Sequence, residues 1–191
     1  MIKIGLVGED PNDTSAIKNL LEKKYKKRVQ FIPLLKRING YQLDNNKVKN
    51  SLSIEFEDKK CKFVLYVRDL DAYKSEASKV NAKKKWFTDL DKQGANGEGI
   101  LLLNIWEIEA MILADIAAFN AIYKTKCKYP GDPMAQQEPK EYLKEQTRKS
   151  SKSYRESDTP DIFSKLDFDT VHKRCSYFKE FITEFDQKLT S

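Results

Sequence analysis

The sequence predicts an α/β fold: a central parallel sheet of about four strands flanked by helices, with a C-terminal helical appendage. Two observations point to it. Residues 2–7, 29–35, 63–67 and 100–104 are short, nearly continuous apolar runs, the pattern of strands buried on both faces of a parallel sheet. The stretches between them carry apolar residues at helical spacing with charges opposite, which gives alternating strand and helix.

The first strand stops at Gly8, and Glu9-Asp10-Pro11-Asn12-Asp13-Thr14 is a polar turn rich in helix-start residues. Ile17, Leu20, Leu21 and Tyr25 then mark a first helix. Residues 39–60 are polar and asparagine-rich, and Val48, Leu52, Ile54 and Phe56 suggest a helix within them. Phe63-Val64-Leu65-Tyr66-Val67 is a buried strand ending at Arg68-Asp69-Leu70-Asp71, and a lysine-rich helix is expected over 75–92. The fourth strand leads into a long helix from about Glu107 to Tyr123, which completes an α/β domain over 1–125.

Residues 126–191 form a second region. Four of the six prolines fall in 128–160 beside the run Arg148-Lys149-Ser150-Ser151-Lys152, and this stretch reads as a loop or lid with little core of its own. Ile162, Phe163 and Leu166 suggest a short helix. Val171, Cys175, Phe178, Ile182, Phe185 and Leu189 form one stripe of a last helix packing back on the sheet domain.

Composition narrows the chemistry. The 191 residues are 40% hydrophobic, enough for a real core, and 35 basic against 29 acidic side chains leave a net charge of +6, a mild bias toward polyanions. No apolar run is long enough to span a bilayer, and the first residues read as a strand rather than a signal peptide; a soluble cytoplasmic protein without membrane partners is expected. Cys61, Cys127 and Cys175 have neither disulfide-framework nor zinc spacing, and His172, the only histidine, reads as a surface residue. Carboxylates, lysines and hydroxyls remain, the equipment of an enzyme that uses a hard metal ion.

Ligands of an open parallel sheet bind at the carboxyl ends of its strands, and three acidic clusters fall there. Glu9, Asp10 and Asp13 follow the first strand, Asp69 and Asp71 the third, Glu107 and Glu109 the fourth. Aimed at a common edge, they suit one or two Mg²⁺ or Mn²⁺ ions. Asp13 and Glu107 serve equally well as helix-start acids. Asp69 and Asp71, alternate residues on extended chain, point the same way and need a neutralising cation. On one continuous helix Asp115 sits in the middle of the apolar arc of Met111, Ile112, Ile116 and Phe119. There it needs a buried Lys or Arg, or takes an indirect part in the metal site.

These residues resemble the Toprim domain of topoisomerases, bacterial primases and OLD-family nucleases. Glu9 and Asp13 match the spacing of its first motif, with Asp10 where glycine is usual, and Asp69-Leu70-Asp71 matches its Asp-x-Asp. Trp106-Glu107-Ile108-Glu109-Ala110-Met111-Ile112-Leu113-Ala114-Asp115 is similar to a segment of small stand-alone bacterial Toprim-like proteins, and Arg174-Cys175-x-x-Phe178 to their C-terminal end. The resemblance implies a Rossmann-like Toprim fold and a metal-dependent nuclease of DNA or RNA, of the kind that serves in anti-phage defence. Glu9 would be general acid/base or metal ligand, and Asp69 and Asp71 metal ligands. Glu109, with Glu107 as alternative, would be a further ligand.

Lys83, Lys84, Lys85, Arg148, Lys149 and Arg155 offer a track for phosphates, interleaved with Trp86, Tyr142 and Tyr154 on which bases could stack. Lys140 and Lys144 extend the basic track, and Lys152 or Arg155 is expected to stabilise the reacting phosphate, with Lys152 taken as catalytic. No Gly-x-x-x-x-Gly-Lys-[Ser/Thr] phosphate loop is present, so any ATPase would be a separate partner. Two alternatives stand beside the nuclease. One is a phospho-acceptor receiver-like module, which the long interval from Glu9 to Asp69 disfavours; the other is a catalytically silent nucleic-acid-binding Toprim module. Oligomeric state is left open.

Overall fold

The computed structural model of the chain describes residues 1–36, 42–43 and 45–191. In chain order its first half holds β1 (Ile2–Gly8), α1 (Pro11–Tyr25), β2 (Val29–Pro33), α2 (Asn46–Lys59), β3 (Phe63–Asp69), α3 (Ala77–Gly94) and β4 (Ile100–Asn104). The helix expected within 39–60 is thus α2, while residues 39–41 and 44 of that stretch lie outside the described residues. The strands form one four-stranded, all-parallel sheet in the order β2-β1-β3-β4. The fold is α/β with C-terminal helices, as the apolar runs predict.

Alternation along the strands divides the core in two. Phe63, Leu65 and Val67 of β3 face one side with Ile4 and Leu6 of β1, where they meet α1 and the C-terminal helices. Val64 and Tyr66 face the other side, against Leu52 of α2 and Leu90 close to the end of α3. Both faces are covered, so the central strands β1 and β3 are shielded over Ile4–Val7 and Phe63–Val67, and this is why those runs read as continuously apolar. β1 and β3 lie side by side, yet β1 is followed in the chain by β2 on its other flank. The sheet therefore has its topological switch point between β1 and β3, whose carboxyl ends release Glu9 and Asp69.

Beyond β4 the helices are α4 (Ala110–Ala114), α5 (Ile116–Tyr123), α6 (Pro139–Thr147), α7 (Thr159–Phe163), α8 (Phe168–Arg174) and α9 (Ser176–Thr190). The single long helix expected from Glu107 to Tyr123 is broken at Asp115 (φ −123°, ψ 63°), and its first turn starts only at Ala110. The break is supported from outside: the Arg174 guanidinium donates to the Ala114 carbonyl at 2.8 Å, and Asp115 accepts the backbone N–H of Asp167 at 2.8 Å. Asp115 therefore finds a backbone partner rather than the buried cation or metal link that a continuous helix required. The last apolar stripe is likewise split at Cys175 into α8 and α9.

Residues 128–160, expected as a loop or lid with little core of their own, include the helix α6 and lend a few residues to the main core. Pro139 starts α6, where a missing N–H costs nothing, and Leu143, Thr147 and Tyr154 are buried. Leu143 and Tyr154 join the same hydrophobic cluster as β1, β3 and α9. His172 is half-buried with its ring stacked near Phe168, and the three cysteines are free. Among the described residues no helix is long and apolar enough to cross a membrane.

Phe185 of α9 is fully buried and packs its ring against Tyr25, Phe31, Phe63 and Phe181, so it joins α9 to α1, β2 and β3. Phe185→Ala should lower unfolding free energy by about 3–5 kcal/mol in urea titrations. Ile54→Ala, on the exposed face of α2, should change it by less than about 0.5 kcal/mol.

Candidate functional site

A cleft of about 320 Å³ opens at the carboxyl ends of β1, β3 and β4. Glu9, Asp10, Asp13, Asp69, Asp71, Glu107, Glu109 and Glu156 line it, with Lys140 as the cation in its wall. The sheet delivers the first seven. Gly8, the last residue of β1, lets the chain turn tightly into α1: a Cβ there would fall 2.6 Å from the Thr14 methyl. Asp10, at φ −126°, is ordinary extended chain and caps α1 by accepting the Asn12 N–H at 2.6 Å. Aspartate in place of the glycine usual in the resembling motif therefore costs no backbone strain. Asp13, one turn into α1, faces the cleft as well as the helix terminus.

Asp69 and Asp71 both reach the cleft, but not by the alternation of an extended strand. β3 ends at Asp69, Leu70 turns into the core, and Asp71 adopts a left-handed conformation (φ 55°) at the exposed rim. The turns after β3 and β4 are laced together: Leu70 N–H donates to the Asn104 carbonyl at 2.9 Å, and Asp71 N–H to the Trp106 carbonyl at 3.0 Å. Trp106 is itself left-handed (φ 57°). This arrangement turns Glu107 and Glu109 into the cleft from the loop before α4.

Burial and like charge act together on three of the acids. Burial raises the pKa of Asp69 well above the usual carboxylate value, and Asp13 and Glu109 push it further, against a hydrogen bond from the Asn104 amide at 2.8 Å. Burial, then Glu109 and Asp10, raise Asp13 well above its usual value. Glu109, only 3% exposed, is raised chiefly by burial; the Tyr154 hydroxyl donates to its Oε1 at 2.8 Å. Its buried Oε2 and the buried Oδ1 of Asn104 have no hydrogen-bond partner among the described residues. Such oxygens are costly to bury unless a ligand completes them.

Cations reach the cleft from two sides. Lys140 Nζ lies 3.5 Å from Glu107 and 3.7 Å from Glu156, and its backbone N–H donates to Glu107 at 3.0 Å. Burial works against its charge, but Glu109, Glu107 and Glu156 outweigh it and hold its pKa above that of an ordinary lysine. On the other side Glu9 is ion-paired to Arg68, whose guanidinium lies 4.1 Å from the Trp86 ring centre, and Lys83 stands 3.6 Å from both Glu9 and Asp71. Among the described residues no three acids are already gathered as a metal cage.

All six acids expected as ligands thus line one cleft, whereas the basic residues divide. Lys83 reaches the rim; Lys84 lines a separate groove with Phe181 and Glu184 of α9; Lys85 is exposed on α3. Arg148, Lys149 and Arg155 are exposed, with Arg148 paired to Glu145. Lys152 does not line the cleft: it pairs with Asp158 at 3.2 Å and lies over the Tyr123 ring. Lys140, noted in the sequence only as one of the basic track, holds the place foreseen for Lys152. Asn104 could have been found as the one polar residue closing an apolar strand, whereas nothing local marks Arg68, Tyr154 or Thr159.

A carboxyl whose folded pKa lies above its unfolded value is favoured in the fold when protonated, so it lowers stability as pH rises from about 4 through the folded pKa. Asp69→Asn should therefore raise the urea midpoint at neutral pH, by about 1 kcal/mol in unfolding free energy. The gain should shrink toward pH 4 and vanish below about pH 3, where the wild-type carboxyl is protonated in both states; a gain that persists there would assign it to packing instead.

No curated protein and no solved structure matches the chain. A family model described as a domain of unknown function, DUF4276, matches residues 8–186, which include every acid of the cleft, and the chain belongs to that family.

Proposed function

We propose that the chain is a divalent-metal-dependent nuclease that hydrolyses phosphodiester bonds at the acidic cleft. The observation that carries this reading is the crowding of Asp13, Asp69 and Glu109. Burial raises the pKa of all three at the switch point of a parallel sheet, Asp13 and Glu109 push Asp69 up further and Glu109 does the same to Asp13, and one oxygen of Glu109 is buried without a partner among the described residues. This donor set is all oxygen, which suits Mg²⁺ or Mn²⁺ rather than a soft metal. The order of the acids along the chain, which resembles the Toprim arrangement, supports the same reading. A net charge of +6 in a chain whose cleft is strongly acidic means that the positive excess lies outside the cleft, which suits a polyanionic partner.

Asp69, Asp13 and Glu109 would hold the ion, with Glu107 and Asp71 at the margins. When bound, it would supply positive charge to the phosphate and lower the pKa of water. Asn104 and Tyr154 orient Asp69 and Glu109 through the hydrogen bonds described above. Lys140 is placed to neutralise charge on a phosphate oxygen entering the cleft. Arg68 and Lys83 hold Glu9 at the mouth, where its carboxylate can exchange a proton with water or the leaving oxygen.

Cleavage of supercoiled plasmid, single-stranded DNA and RNA should be measured with Mg²⁺ or Mn²⁺. Wild type should cut at least one substrate only with metal, and Asp69→Ala and Lys140→Ala should each lower the rate by about 100-fold or more. Mg²⁺ should also raise the unfolding midpoint of wild type but not of Asp69→Asn. Absence of metal-dependent cleavage from folded protein on all three substrates would overturn the reading.

A further inference from the structure

The large apolar side chains exposed among the described residues are Met1, Ile54 and Tyr73. Met1 is the terminus and Ile54 lies on the outer face of α2. Tyr73 is placed differently. It follows Asp71 by two residues at the rim of the acidic cleft and is 36% exposed. Its ring meets that of Trp106 nearly at right angles, with centres 5.2 Å apart, and its hydroxyl is held by the side-chain amide of Gln137. Asp71 and Trp106, both left-handed, are joined by the hydrogen bond between their backbones. A bulky residue such as tryptophan is seldom found at positive φ, and such positions cluster where a ligand is met. The Trp106 indole N–H is shielded from water and has no acceptor among the described residues.

We propose that Tyr73, backed by Trp106, is a stacking platform for an unpaired base at the mouth of the cleft, which makes single-stranded nucleic acid the substrate class. The proposal rests on the reading of the cleft as a site of phosphodiester hydrolysis. Charge around the platform fits it. Lys79 Nζ lies 3.5 Å from the Asp71 carbonyl and 3.2 Å from Glu76, and Lys83 bridges Asp71 and Glu9, so two ammonium groups flank Asp71 at the rim.

A strand with one base on Tyr73 has its next phosphates over these lysines and the acids. A duplex cannot use the platform, because its bases already cover one another. The aromatic residues that interleave with lysines in the sequence are not free for this role. Tyr154 is buried against Glu109, Trp86 packs under Arg68 and against Tyr66, and Tyr142 meets Tyr129.

The test is equilibrium binding, by fluorescence anisotropy in Ca²⁺ buffer, of a labelled oligothymidylate, an abasic strand of the same length and a hairpin duplex. Wild type should prefer the oligothymidylate to both others. Tyr73→Ala should weaken its binding about 5-fold or more, within the range of stacking on one ring. The same variant should leave the abasic strand unaffected, and Tyr73→Phe should retain the preference. Unfolding midpoints of the variants check that each is folded. Equal affinity of wild type for the oligothymidylate and the abasic strand, equal losses on both, undiminished affinity of Tyr73→Ala, or equal binding of the duplex would each overturn the platform. The two readings fail separately: base preference without metal-dependent cleavage removes the hydrolase and leaves the platform, and cleavage without base preference removes the platform alone.

Discussion

The architecture depends on keeping like charges close together in a partly buried place. Three parallel strands end with acids at one edge, and repulsion among them would open that edge if nothing opposed it. Arg68 and Lys83 oppose it from the sheet domain, and further opposing charge comes from the second region of the chain. Lys140, at the start of α6, bridges Glu107 and Glu156, and the Tyr154 hydroxyl reaches Glu109 from the following loop. A stretch rich in lysine, serine and proline thus becomes part of the core, because its few apolar residues, Leu143 and Tyr154, enter the cluster that packs on the sheet.

The same edge is made rigid by backbone. The turns after β3 and β4 hydrogen-bond to each other through Leu70, Asp71, Asn104 and Trp106, so the two acidic turns move as one body. The break in the helix at Asp115 belongs to this arrangement. Arg174 takes up the Ala114 carbonyl and also donates to the Tyr129 and Gly131 carbonyls, at 2.8 and 3.0 Å, which fastens α8 to α4 and to the loop before α6. One guanidinium therefore secures three chain segments behind the cleft.

The acidic cleft was legible because parallel-sheet geometry is a strong constraint. Once four apolar runs are strands, their carboxyl ends are known, and Glu9, Asp69 and Glu109 follow from position alone. Asp71 was found for a reason that does not hold: it reaches the cleft through a left-handed turn rather than through strand alternation. The cations were legible only as types. Lys140 and Lys152 share one basic stretch in the sequence, and only the path of the chain puts Lys140 among the acids and Lys152 over Tyr123.

The sequence by itself determined the strands, their order along the chain and the acids at their ends, because local hydrophobic pattern dictates which segments must be shielded on both faces. Only the tertiary structure decided where helices break, since the carbonyls freed at Asp115 are satisfied by Arg174, sixty residues away. It also decided that Lys140 rather than Lys152 pairs with acids of the cleft, and that Tyr73 keeps an exposed ring against Trp106. Those outcomes depend on contacts between residues distant in the chain, and no local spacing encodes them.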